Sequence, residues 1–210
     1  MISIVRQLEK KDMLDVAKVH IQCFPDSYST VLGNDRDIFL MQAFYTEYIK
    51  DAPELFLVGE NEQGRISGFC MGYYMERNGQ MSAFFKHNLV RISLRTAALL
   101  LMGNRTAWSK VMNRFKKSSS WVYLNHEYDN LVAADCGDLL SICVLPEARG
   151  NGLAQQLMER YIEVMRRAGR KVCMLTVDIK NERAIRFYIR NGFVPYKEIP
   201  GQCRTYIKKL

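Results

Sequence analysis

An apolar run, a glycine-containing turn and a long amphipathic segment follow one another directly in the second half of the chain. The run 139–144 predicts a buried strand, and the segment 152–167 predicts a helix because its apolar residues recur at three-to-four spacing. A turn between such elements gathers backbone N–H groups that have no acceptor within the helix. Gly150 and Gly152 let the backbone come close to a ligand. The pattern therefore predicts an anion site, above all for a phosphate or pyrophosphate.

A second buried strand, at 171–177, follows this helix, and a helix that crosses between two strands makes them parallel neighbours. Asn181 predicts the start of a short helix, and Gly192 lies just beyond its end. Alternation at 55–74, interrupted by a polar turn, predicts a β-hairpin. Together the elements predict an α/β fold. The remaining predicted elements are a strand at 2–5, a helix capped by Asp12 and ended by Pro25, a helix at about 36–50, and strands at 193–199 and 204–208.

The composition is that of a globular protein with its own core. The chain has 210 residues, of which 48% are hydrophobic, and this length predicts one domain over 1–210. No apolar run approaches the roughly 20 residues needed to span a bilayer, and the first residues do not form a signal-peptide pattern. The six cysteines are scattered without C-x-x-C spacing, so we expect reduced thiols, no metal site and a cytoplasmic protein.

The positive charge of the chain is local. The net charge is +8, but between Arg77 and His126 there are nine Lys or Arg residues and no Asp or Glu. The remaining 21 basic and 22 acidic residues nearly balance. We therefore predict a basic helical insertion at about 77–126, with helices at about 84–102 and 106–115.

Two motifs at a fixed relation carry a family resemblance. They are Arg149-x-x-Gly152-x-Ala154 and, about thirty residues later, Asn181-x-x-Ala184-x-x-x-Tyr188-x-x-x-Gly192-Phe193. The pair resembles the acetyl-CoA binding motifs of the GNAT superfamily of N-acetyltransferases. The resemblance implies a mixed, mostly antiparallel sheet with a splayed central parallel strand pair and helices on both faces. It also implies acetyl transfer from acetyl-CoA to a primary amine, by direct attack in a ternary complex.

The resemblance implies a role for each matching residue. It assigns the main-chain groups of Ile142, Cys143 and Val144 to the pantetheine arm. Tyr188 corresponds to the general acid that protonates the departing thiolate, with a core-edge aromatic as the alternative. Asn181 either touches the pantetheine or only caps its helix. The pyrophosphate is assigned to the turn residues Arg149, Gly150, Asn151, Gly152, Leu153 and Ala154.

The sequence does not identify the base that deprotonates the amine. By position alone the candidates are His20, Asp26, Tyr28, Asp138 and Asp178. His20, on the first predicted helix, is expected to be a surface or packing residue.

The acceptor is predicted to be a small-molecule amine, such as an amino sugar or its nucleotide-linked form. The alternatives are a protein N-acetyltransferase and a non-catalytic acyl-CoA-binding or membrane-docking module. The insertion has three open roles: a solvated cover, recognition of an anionic acceptor, or docking on an anionic membrane leaflet at the inner face. Nucleic acid is not expected as a partner, because no reading motif is present. A homodimer is left open.

Overall fold

The computed structural model describes residues 4–25, 38–114 and 120–210. Within these ranges a single sheet lies between helices on its two faces. The strands are β1 (Ile4–Gln7), β2 (Phe56–Glu60), β3 (Ile66–Tyr74), β4 (Val122–Tyr123), β5 (Cys136–Val144), β6 (Val172–Asp178), β7 (Val194–Ile199) and β8 (Cys203–Lys209). The helices are α1 (Met13–Cys23), α2 (Phe39–Asp51), α3 (Gln80–Leu101), α4 (Arg105–Arg114), α5 (Leu153–Arg167) and α6 (Glu182–Arg190).

The strands lie in the order β1-β2-β3-β5-β6-β8-β7-β4, and every described pairing is antiparallel except that of β5 with β6. The parallel pairing covers only Cys136–Asp138 of β5, opposite Val172 to Met174 of β6. Beyond it, β5 stays paired with β3 and β6 stays paired with β8. The two central strands therefore diverge, which confirms the predicted α/β fold with a splayed parallel pair.

The base of this divergence is fixed by a close contact at Gly72. The register between β3 and β5 shifts here, because Met71 pairs with Ser141 whereas Gly72 pairs with Leu139. A Cβ atom at Gly72 would lie 1.9 Å from both the carbonyl oxygen of Asp138 and the hydroxyl of Tyr161. In the space left by the missing side chain, the Tyr161 hydroxyl of α5 donates a hydrogen bond of 2.8 Å to that carbonyl.

The two faces of the sheet carry separate apolar clusters. On one face α5 buries Leu157, Tyr161 and Met165 against the central strands. On the other, α1 and α2 pack on β2 and β3, and Tyr45 lies among the rings of Phe56 and Phe69. The insertion helices extend this second layer outward from α2. Their contact cluster consists of Leu40, Phe84, Ile92, Leu99 and Ala107.

Most predicted elements are present with shifted ends. The insertion helix α3 begins at Gln80, about a turn before its predicted start, and the helix predicted from about residue 36 begins at Phe39. The strand β4, which pairs with β7, was not predicted, since two exposed residues give no pattern.

The cap prediction for Asp12 is wrong. Its carboxylate accepts from the backbone N–H of Glu9 and binds Arg6 at 2.6 Å, instead of reaching the amides of α1.

The contact at Gly72 gives a stability prediction. Gly72→Ala forces its Cβ into Asp138 and Tyr161, so we expect the free energy of unfolding in urea to fall by about 1–3 kcal/mol. Gly79→Ala is the matched control, because a Cβ there has no atom within 4 Å. We expect this control to stay within about 0.5 kcal/mol of the wild type. Equal stability of the two variants would contradict the assigned role of Gly72.

Candidate functional site

A cavity of about 680 Å³ opens beside the diverging end of β5. Its walls come from β5, from the turn that leads into α5, from α6 and from the end of α1. Its lining residues are Cys23, Phe24, Ile142, Cys143, Val144, Ala148, Arg149, Gly150, Gly152, Leu153, Ala154, Gln155, Asn181, Arg183, Ala184, Phe187, Tyr188 and Arg190.

The free edge of β5 presents main-chain groups to this cavity. The backbone N–H of Leu145 donates to Ser67 O on the β3 side at 2.8 Å. Successive residues of a strand direct these groups to opposite edges, so Cys143 also faces β3, whereas Ile142 and Val144 face the cavity. The three residues therefore differ in the direction of their main-chain groups. Cys143 contributes only its side chain to the lining, because its main-chain groups point to the other edge.

The turn after β5 leaves the N-terminus of α5 without a side-chain cap. Gly150 and Gly152 have φ values of 86° and 78°, in the left-handed region that favours glycine. Gly152 is the N-cap residue and has no side chain with which to bind the first amides. The N–H of Gln156 donates to Gly152 O at 3.0 Å, so the amides of residues 153–155 have no acceptor within the helix. No acidic residue lies in this first turn.

Three arginines line the same cavity as this N-terminus. Arg149 donates from Nε to the carbonyl oxygen of Val144 at 3.0 Å, so it closes the exposed end of β5 as well as lining the cavity. Arg183 and Arg190 line the wall formed by α6, and sequence reasoning missed both. Their spacing of seven residues, two helical turns, is the signal that places them on one helix face. The positive charge favours an anionic ligand.

Two further lining residues were also missed. Cys23 and Phe24 lie at the end of α1, more than a hundred residues before the motifs in sequence. Nothing in the local pattern of α1 marks them, because they reach the cavity only through the packing of α1 on the sheet.

Tyr188 lines the cavity and packs between two aromatic rings. The ring centroids of Phe187 and Phe193 lie 5.7 and 6.0 Å from that of Tyr188. Its hydroxyl makes no hydrogen bond with the described part of the chain. Burial raises the pKa of Tyr188 to about 12, so the phenol keeps its proton at neutral pH. The arrangement leaves a proton donor without an internal acceptor beside the cavity.

Asn181 serves as a helix cap. Its side-chain oxygen accepts from the backbone N–H of Ala184 at 3.2 Å, at the start of α6. The same residue lines the cavity, so capping does not remove it from the site.

The candidate bases differ sharply in environment. His20 lies in the core, where a hydrogen bond joins it to the Tyr45 hydroxyl and burial lowers its pKa to about 4. Asp178 is exposed and its carboxylate accepts from the N–H of Lys180. Asp138 lies at the base of the divergence, and burial raises the pKa of its carboxyl to about 7. Asp26 and Tyr28 lie outside the described residues.

Among the described residues, no three or more His, Cys, Asp or Glu side chains are grouped as metal ligands. In the same ranges, no helix combines the length and the apolar character that crossing a membrane requires.

Comparison with known proteins gives partial sequence matches around this site. Residues 119–193 match the model of the acetyltransferase (GNAT) family. An uncharacterized N-acetyltransferase from Methanocaldococcus jannaschii is 32% identical over 81 residues, 39% of this chain and 35% of the relative. N-alpha-acetyltransferase 30 from Schizosaccharomyces pombe is 33% identical over 63 residues, 30% of this chain and 42% of the relative. Aminoalkylphosphonate N-acetyltransferase from Salmonella typhimurium is 37% identical over 57 residues, 27% of this chain and 37% of the relative. Each match spans less than half the length of its relative.

Solved structures are similar over nearly the whole chain. The crystal structure of SsHAT superimposes with a TM-score of 0.66 at 20% identity, and the match covers 99% of this chain and 98% of that one. The PaiA N-acetyltransferase from Thermoplasma acidophilum, solved in complex with coenzyme A, has a TM-score of 0.58 at 15% identity, with all of both chains covered. At these identities the likeness concerns the fold. The segment 119–193, which contains the diverging strand, the glycine turn and α6, matches the GNAT family of acetyltransferases, and the rest of the chain shares the fold of the solved structures.

Proposed function

We propose that this protein transfers an acetyl group from acetyl-CoA to a primary amine, and that the acceptor is a small molecule. The observation that carries the proposal is the free edge of β5 beside the uncapped N-terminus of α5. The first suits an extended amide-containing arm, and the second suits a pyrophosphate. The family match supports the same donor.

The residues of the chain fit this donor in two places. The N–H and C=O of Ile142 and the N–H of Val144 face the cavity, where they can pair with the pantetheine amides as a neighbouring strand would. The amides of the turn and of the first turn of α5 converge on the pyrophosphate. Charge-assisted hydrogen bonds of this kind contribute about 1.5–3 kcal/mol each. Arg183 and Arg190 add positive charge on the opposite wall.

Tyr188 acts as the general acid in the proposed reaction. The amine nitrogen attacks the thioester carbonyl, the C–S bond breaks, and the phenol gives its proton to the departing sulfur. A thiol with an ordinary pKa of about 8.5 leaves readily, so the demand on Tyr188 is modest. Its raised pKa keeps the proton in place until the thiolate develops.

Asp138 is the proposed base that receives the amine proton. A carboxyl with a pKa of about 7 is partly ionised at neutral pH and also holds a proton once transferred. The cause is burial: Tyr73 lies directly opposite Asp138 in the strand register, and the ring of Tyr48 packs 5.9 Å from that of Tyr73. Water connecting this carboxyl to the amine completes the proposed route.

The similarity to aminoalkylphosphonate N-acetyltransferase supports a small-molecule acceptor. The similarity to N-alpha-acetyltransferase 30 favours a second candidate, the terminal amine of a peptide. Release of CoA thiol, detected with DTNB, tests both with one panel of amino sugars, nucleotide-linked amino sugars, aminoalkylphosphonates and short peptides. Turnover of a small amine alone supports the proposal, and turnover of peptides alone supports the second candidate. Absence of thiol release with every amine, despite measured acetyl-CoA binding, would favour a non-catalytic acyl-CoA-binding module.

Donor binding is tested at Gly152. Gly152→Glu adds a carboxylate at the predicted pyrophosphate position, so we expect affinity for acetyl-CoA in titration calorimetry to fall at least about a hundredfold. Gly103→Glu is the matched control, because Gly103 also has a left-handed φ of 70° and no atom within 4 Å of a Cβ. Unchanged affinity of the Gly152 variant would remove the pyrophosphate from this turn.

The acid role is tested with Tyr188→Phe. We expect kcat to fall about a hundredfold, while KM for acetyl-CoA stays nearly constant, because the lost interaction forms only as the thiolate departs. Tyr196→Phe removes a buried hydroxyl outside the cavity and is expected to leave kcat unchanged. If kcat of the Tyr188 variant also stayed at the wild-type value, Tyr188 would be a packing residue.

The base role is tested by the pH profile of kcat/KM. An Asp138 base is active when deprotonated, so activity should rise as pH increases through about 7. Asp138→Asn should abolish this rise and lower the rate by about a hundredfold or more. Asp178→Asn, on the exposed carboxylate, should retain the wild-type profile. A retained rise in Asp138→Asn would exclude Asp138 as the titrating base.

Stability distinguishes loss of the base from misfolding. The carboxyl of Asp138 has a folded-state pKa above its ordinary value of about 3.9. Between about pH 4 and pH 7 the folded state therefore binds more protons than the unfolded state, and the free energy of unfolding falls as pH rises through this range. The amide of Asp138→Asn does not titrate, so this variant does not lose stability as pH rises. At pH 7 its Tm is therefore expected to equal or exceed that of the wild type.

A further inference from the structure

The insertion helix α3 is apolar on two opposite sides. Its inner side packs on α2 through Phe84, Ile92 and Leu99, which are buried. On its outer side Leu89 and Leu94 are 60% and 68% exposed. A helix that lies on a protein surface normally carries polar residues on its outer side.

The outer apolar residues continue beyond α3. The indole N–H of Trp108, on α4, donates to the carbonyl oxygen of Leu100 at 3.0 Å, which holds this exposed ring against the end of α3. Leu101 is 90% exposed beside it. We call this set of exposed side chains the outer face of the insertion: Phe85, Leu89, Val90, Leu94, Leu101, Met102 and Trp108.

Positive charge borders the outer face. The segment between Arg77 and His126 contains nine Lys or Arg residues and no Asp or Glu. Lys86 lies one helical turn from Leu89 and Val90, and Arg105 begins α4 next to the end of α3. Both side chains are exposed, and neither forms an ion pair with the described part of the chain. Apolar side chains with bordering cations complement a surface that is apolar inside and anionic outside.

We propose that the outer face of the insertion docks on the surface of an anionic lipid membrane. Its apolar side chains enter the boundary between headgroups and acyl chains, and Lys86 and Arg105 bind lipid phosphates. Exposed tryptophan is favoured at this depth because its ring is apolar and its edge is polar. A second copy of the chain fits less well. A two-fold contact through this face would bring the same cations together without acidic residues from the segment to compensate them.

Vesicle sedimentation tests the proposal with the full-length chain. We expect the protein to pellet with phosphatidylglycerol–phosphatidylcholine vesicles and not with pure phosphatidylcholine vesicles, and the bound fraction to fall with salt. In a Trp121→Phe background, emission of Trp108 should shift to shorter wavelength on binding. No pelleting with the anionic vesicles would overturn the proposal.

Variants connect binding to the outer face. Leu89→Glu combined with Leu94→Glu should weaken binding to anionic vesicles at least about tenfold, because both apolar area and charge complementarity are lost. The matched control is Val132→Glu, which changes an exposed apolar residue outside the insertion and should bind as the wild type does. Equal binding by the double variant would overturn the assignment.

A second pair of variants keeps the test valid if the first disturbs folding. Lys86→Ser with Arg105→Ser retains every apolar side chain, so it should lose the preference for anionic over neutral vesicles while circular dichroism stays unchanged. Sedimentation velocity without lipid completes the design. A concentration-dependent dimer that Leu89→Glu with Leu94→Glu abolishes would assign the outer face to a second copy and overturn the membrane proposal.

Discussion

The end of pairing between β5 and β6 after Asp138 is the constraint on which the rest of the structure depends. A strand edge with unpaired N–H and C=O groups is costly unless water or another partner satisfies them. The chain fixes both ends of the exposed stretch. Tyr161 binds the carbonyl of Asp138 at the base, and Arg149 binds the carbonyl of Val144 at the far end. Between them the edge of β5 beside the cavity stays unpaired with β6.

The two helices that border the cavity differ in whether a side chain accepts from their first backbone N–H groups. Asn181 caps α6 through its own side chain, so the first amides of that helix are partly occupied from within. Gly152 has no side chain with which to cap α5, and its φ lies in the left-handed region. The uncapped N-terminus follows β5, and the capped one follows β6. This difference supports the proposed anion site at α5, and Asn181 caps α6 although it lines the same cavity.

Local patterns predicted the elements, but contacts between distant segments determine the site. Alternation and three-to-four spacing sufficed for the hairpin of β2 and β3 and for α5, because one face of each is buried. The divergence of β5 from β6 came only from the family resemblance, since no local pattern encodes loss of pairing. The direction of the Cys143 main chain depends on its register with β3, and the burial of Asp138 depends on tyrosines from β3 and α2.

The sequence predicted the charge of the insertion but not which side of its first helix faces the core. Its charge could be counted in the sequence, but α3 is apolar around most of its circumference, so periodicity could not distinguish its inner side from its outer side. The packing of Phe84, Ile92 and Leu99 on α2 makes that distinction. The exposed parts of the remaining apolar side chains add nothing to folding, because they stay in water, and full cover of a side chain as exposed as Leu101 would contribute about 1.5–3 kcal/mol. Exposed apolar side chains that lie beside cations and without acidic residues are consistent with a surface that binds a partner. The proposed partner is an anionic membrane, because it has both an apolar interior and a negatively charged surface.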